Sequence, residues 1–106
     1  MASPIDAGGP ASRPRVPITV DVFSYSSLYG VGSWWEEGAE IRAEVWEAPE
    51  RTAVISGNSA GLRSLARHLL MLAQDEVPDG NHLDFDSYCG WLKEGSIAIR
   101  IEVEKD

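Results

Sequence analysis

The chain has 106 residues, 17 of them Asp or Glu against nine Lys or Arg, for a formal charge of −8 at neutral pH. A field of that sign repels phosphate backbones and anionic lipid, which sets aside nucleic acid and membrane surfaces as partners; no apolar run approaches the roughly 20 residues that span a bilayer. A single cysteine, Cys89, can form no internal disulfide, and no basic start followed by an apolar stretch marks export, so the expected location is cytoplasmic.

A hydrophobic content of 43% suits one domain with its own core. Residues 1–15, rich in Pro, Gly, Ala and Ser, have little to bury and are expected to be a disordered N-terminal tail, with a single α+β domain over 16–106. Asp6 against Arg13 and Arg15 gives those first fifteen residues +1, which leaves −9 for the domain. Val16, Ile18, Val20 and Val22 alternate with Pro17, Thr19, Asp21 and Phe23, the period of a first strand. Residues 24–38 then lack either period. A connection of that length in a compact domain is usually functional.

Over 40–47 the alternation returns, with Ile41, Ala43 and Val45 on one side and Glu40, Arg42, Glu44 and Trp46 on the other. Ala48-Pro49-Glu50-Arg51 makes a turn, and Thr52 to Ser56 reads as a third strand forming a hairpin with the second. Gly57 ends it and Asn58 is a good helix N-cap. Leu62, Leu65, Ala66, Leu69, Leu70, Leu72 and Ala73 recur at helical spacing to about Asp75, a helix of roughly 17 residues. Pro78-Asp79-Gly80 breaks it. Asn81 to Asp86 gives a fourth strand with Leu83 and Phe85 inward, and Trp91 and Leu92 are expected to plug a sheet edge. Ile97, Ile99, Ile101 and Val103 alternate with Ala98, Arg100, Glu102 and Glu104 as the last strand.

The expected fold is therefore α+β in the order β-β-β-α-β-β: a single, mostly antiparallel sheet of about five strands with one long helix packed on one face. The leucine stripe covers the inward side. The other side stays wet and carries Thr19, Asp21, Glu40, Arg42, Glu44, Trp46, His82, Asp84, Asp86, Arg100, Glu102 and Glu104. That surface is mainly acidic, with Trp46 as an exception of the kind that marks contact sites.

The 24–38 segment holds Tyr25, Tyr29, Trp34 and Trp35 with Ser, Gly, Glu36 and Glu37, a composition suited to recognition loops: rigid rings supply area and small polar residues adapt. The same rings could instead cover the bare sheet. His82, Asp84 and Asp86 share one side of a strand at steps of about 7 Å, too far apart to hold one ion without help from a neighbour such as Glu102. The Ser56–Gly61 turn precedes a helix but lacks the lysine of a phosphate loop, so a structural role is expected, with Gly57 for the turn and Gly61 for close approach of the helix. Arg63, Arg67 and His68 fall outside the leucine stripe and read as a solvated or boundary face. Cys89 reads as a structural thiol. No catalytic spacing, metal site or cofactor motif is found.

From Gly57 onward the chain resembles the immunity proteins of bacterial polymorphic toxin systems, most closely the immunity protein 32 family. The resemblance is carried by Gly57-Asn58, Gly61-Leu62, Leu65-Ala66, Pro78-Asp79-Gly80, His82 with Asp84, and Leu92 with Gly95-Ser96. It implies a protein that is not an enzyme and that binds and neutralises a cognate toxin in the producing cell. An acidic face suits a basic toxin such as a nuclease domain. The partner-binding set expected is then Tyr25, Tyr29, Trp34, Trp35, Glu36, Glu37, Glu40, Glu44, Trp46, His82 and Asp84. Two rival readings stand beside it: a small metal-dependent enzyme or regulator using His82, Asp84 and Asp86, and a homodimer that pairs its exposed faces.

Overall fold

A computed structural model of the chain describes residues 13–105; residues 1–12, most of the expected tail, lie outside the described residues. The alternation around Ala43 produces strand β1 (Ile41–Trp46), and the Pro-containing turn after it returns the chain as β2 (Thr52–Gly57). The two pair antiparallel, with Ile41 opposite Gly57 and Trp46 opposite Thr52. Ile41 and Ala43 are buried, whereas Arg42 and Trp46 face solvent, as a period of two requires. β3 (His82–Phe85) and β4 (Ile99–Glu102) form a second antiparallel pair, His82 opposite Glu102 and Phe85 opposite Ile99.

The expected single sheet of about five strands is thus two two-stranded sheets with one helix, still α+β. Two local causes account for the difference. The free edge of β1 is met by residues 91–97, which run parallel to it: the Ile41 amide donates to the Trp91 carbonyl at 3.0 Å, and the amides of Lys93 and Ile97 donate to the carbonyls of Ile41 and Ala43, each at 2.8 Å. This is the edge position expected for Trp91 and Leu92. A turn closed by Ser96 N–H on the Lys93 carbonyl at 3.1 Å, with Gly95 at φ +87°, interrupts the ladder before β4 begins, so the last strand starts at Ile99 rather than Ile97.

The second cause lies in residues 16–23, which form no strand. Two of their carbonyls are taken by side chains of the helix and the residues just past it instead: Arg67 Nε donates to Asp21 O at 3.2 Å and Gln74 Nε2 to Phe23 O at 2.8 Å. Val16 and Ile18 remain largely exposed. Alternation specifies which side of an extended chain is apolar; it does not supply a neighbour to pair with.

Helix α1 (Ser59–Leu72) is shorter than expected and is rotated from the expected face. Asn58 caps it as anticipated: its Oδ1 accepts from the amides of Gly61 at 2.7 Å and Glu40 at 3.1 Å, and its Nδ2 donates to Gly38 O at 2.8 Å. The buried residues are Gly61, Ser64, Arg67, His68, Met71 and Leu72, while Leu62, Leu69 and Leu70 face outward. Small size explains the orientation at the N-terminal end. A Cβ on Gly61 would run into the Glu40 carbonyl, so only the glycine side of the helix can come this close to β1. Further along, Ser64, Arg67 and His68 each find a backbone partner, which makes their burial tolerable, although the buried Nη1 of Arg67 has none among the described residues. The apolar core is completed by Ala39, Val77 and Phe85. Among the described residues no helix is long and apolar enough to cross a membrane.

Candidate partner-binding surface

The polar side of α1 holds the 24–38 loop in place. His68 is fully buried; its Nδ1 lies 2.6 Å from the Ser64 carbonyl, and its Nε2 is 3.2 Å from the Trp34 amide and 2.9 Å from Ser33 Oγ. A carbonyl only accepts and an amide only donates, so the proton sits on Nδ1, Nε2 accepts, and the ring is neutral. Burial holds its pKa below the ordinary 6.5; the Ser64 carbonyl opposes that shift and the Arg67 charge adds to it. One turn earlier, Ser64 Oγ accepts from the Glu36 amide at 2.9 Å. Gln74, just past the helix, accepts from the Tyr25 amide at 3.1 Å through Oε1.

Charge reinforces the clamp at Glu36. Arg63 grips its carboxylate with two bonds of 3.0 Å, and Arg67 Nη2 lies 3.8 Å away. The Arg63 hydrogen bond holds the Glu36 carboxyl below its usual range. Arg63 and Arg67 are therefore a shared cationic seat for one carboxylate rather than a repelling solvated pair, and His68 is core rather than boundary. Arg67 is itself nearly buried, with its guanidinium 4.2 Å from the centre of the Trp34 ring.

The four loop aromatics divide into two sets. Trp35 turns inward, stacked on Trp91 at 5.7 Å, edge-on to Phe85 at 5.3 Å, and 4.7 Å from the His68 ring. Tyr25 is half-buried. Tyr29 is 84% exposed and Trp34 43%. Trp34 packs on Arg67 and approaches Phe23 at 6.2 Å while staying well exposed. Glu37 is exposed and makes no ion pair among the described residues.

The outward side of the strands carries the remaining candidates. Trp46 is 53% exposed, and its indole N–H donates to Glu44 Oε1 at 2.7 Å, a bond that fixes the ring against the strand. Glu40 faces Lys93 at 3.4 Å beside a shallow groove of about 280 Å³ formed by residues 38–40 and 90–93. On β3, Asp84 is gripped by Arg100 across the pair at 2.8 and 3.1 Å and lies 3.5 Å from His82 Nε2. The Arg100 hydrogen bond depresses the Asp84 carboxyl. Its oxygens are thereby committed to a guanidinium, and among the described residues no group of three or more His, Cys, Asp or Glu is placed to hold a metal ion.

A family model described as Immunity protein 32 matches residues 52–104, half of the chain. The chain belongs to the Immunity protein 32 family. No curated protein and no solved structure matches it. The matched stretch runs from β2 through β4 and so includes the clamp residues Ser64, Arg67, His68 and Gln74, whereas the loop they hold precedes it.

For this Immunity protein 32 member, sequence reasoning found the loop but missed what positions it. The signal was present: Gly61, Ser64, His68 and Met71 recur at helical spacing opposite Leu62, Leu69 and Leu70. It was masked because hydrophobicity, the usual guide to a buried face, pointed to the other side.

Proposed function

We propose that the chain is an immunity protein that binds a cognate protein toxin in the producing cell and blocks it by contact rather than by catalysis. Family membership supports the immunity role. The observation that carries the location is the clamped loop: its backbone is tied to α1 at Trp34 and Glu36 and to Gln74 just past it at Tyr25, yet Tyr29, Trp34 and Glu37 stay exposed. A loop held in advance loses less freedom on binding, so more of its contact energy appears as affinity.

The binding face comprises Tyr29, Trp34 and Trp46 as ring anchors, with Glu37, Glu40 and Glu44 attracting a basic surface. Tyr25, Trp35 and Glu36 hold the loop in shape. Asp84, gripped by Arg100, and His82 beside it form a rim with reduced charge. The test is protection of cells expressing the toxin domain encoded beside this chain. Wild-type chain restores growth, and a Tyr29→Ala, Trp34→Ala, Trp46→Ala variant present at equal level does not. Full protection by that variant sinks this assignment.

A further inference from the structure

Helix α1 carries an apolar face that the other described residues leave uncovered. Leu62, Leu69 and Leu70 are 48%, 45% and 49% exposed, and Ala66 and Ala73 beside them are exposed as well. At 3.6 residues per turn, Leu62, Ala66, Leu69 and Ala73 fall within ~60° of one another, opposite Ser64 and Met71. A contiguous apolar stripe on a soluble domain marks an interface. Its charge is also unlike that of the rest of the chain. Within a molecule of charge −8, Ser59–Leu72 holds no carboxylate, and Arg63 at its margin is already paired with Glu36.

We propose that this stripe is a dimer interface, covered by α1 of a second copy lying antiparallel across a two-fold axis. The spacing of the stripe identifies the occupant. A two-fold axis midway between Leu62 and Ala73 sets Leu62 against the partner's Ala73 and Ala66 against the partner's Leu69. Every leucine of the seam then meets an alanine, which is the self-complementarity an isologous contact requires and which lets two helices approach closely. The contact also joins the two copies where neither presents a negative side chain, so their mutual repulsion is smallest there. The seam shares no residue with the proposed toxin-binding set, and either assignment can fail without the other.

Sedimentation velocity on the full chain tests the interface. The expected result is a species of twice 11.6 kDa that dissociates on dilution and tightens as salt rises, because screening relieves the repulsion elsewhere. Ala66→Leu sets leucine against leucine and weakens the dimer by about tenfold or more, and the swap Ala66→Leu with Leu69→Ala restores it. Leu69→Glu gives a monomer with an unchanged circular dichroism spectrum. A wild-type chain that stays monomeric at every concentration and salt, a dimer indifferent to both Ala66→Leu and Leu69→Glu, or leucines protected only when toxin is added would overturn the proposal.

Discussion

His68 ties the helix, the 24–38 loop and the aromatic core together. Its two nitrogens are spent on the Ser64 carbonyl and on the Trp34 amide with Ser33, so a second proton, on Nε2, would face the Trp34 N–H, break that bond and leave only the Ser33 hydroxyl to accept it. Because its folded pKa lies below 6.5, the unfolded chain takes up the proton first as pH falls. Stability is full above about 6.5 and declines below it, by up to ~1.4 kcal/mol per pH unit. Glu36 and Asp84, also depressed, lose their contribution only as pH falls through the carboxylate range. Urea unfolding at pH 7.5 and 5.5 reads the difference. His68→Leu is expected to lose on the order of 2–4 kcal/mol at pH 7.5, since it leaves buried partners unpaired, and to flatten the decline between the two pH values. A variant that keeps the wild-type slope would show that the slope belongs to another group.

At the scale of elements, two extended segments of similar composition behave differently. Residues 16–23 and β1 both alternate, but only β1 has neighbours on its two edges, β2 and residues 91–97. Amide hydrogen exchange separates them: the amides of Ile41 and Ala43 are expected to exchange slowly, and those of residues 18–23 near the rate of an open chain. Protection at 18–23 equal to that of β1 would mean the segment pairs with something. The same contrast shows what the sequence could and could not reveal. Asn58 as a cap, the β1–β2 hairpin and the inward turn of Phe85 are local matters of spacing and turn chemistry, and they were legible. The break at Gly95, the lack of a strand partner for 16–23 among the described residues and the inward side of α1 depend on which groups meet across the fold. In α1 the conflict is direct, because seven Leu and Ala positions predict one face, while Gly61 against the Glu40 carbonyl and His68 against the loop choose the other.

For the molecule as a whole, charge and exposed rings have separate tasks. Under the proposed function, a net charge of −8 would attract a basic toxin from a distance and set an association rate that falls as salt screens it. Rings excluded from water on docking set the dissociation rate. Salt is therefore expected to act in opposite senses on the two proposed contacts, weakening the toxin complex and strengthening the α1 dimer. Exposed ion pairs such as Asp84 with Arg100 contribute little to either stability or affinity. The most direct measurement is the affinity of the purified chain for its toxin domain, wild type against the Tyr29→Ala, Trp34→Ala, Trp46→Ala variant, both checked for the same melting behaviour. A loss of at least ~30-fold, seen mainly as faster dissociation, is the predicted result. Equal affinity in a variant that melts like the wild type would contradict the claim that this clamped loop and strand face hold the toxin.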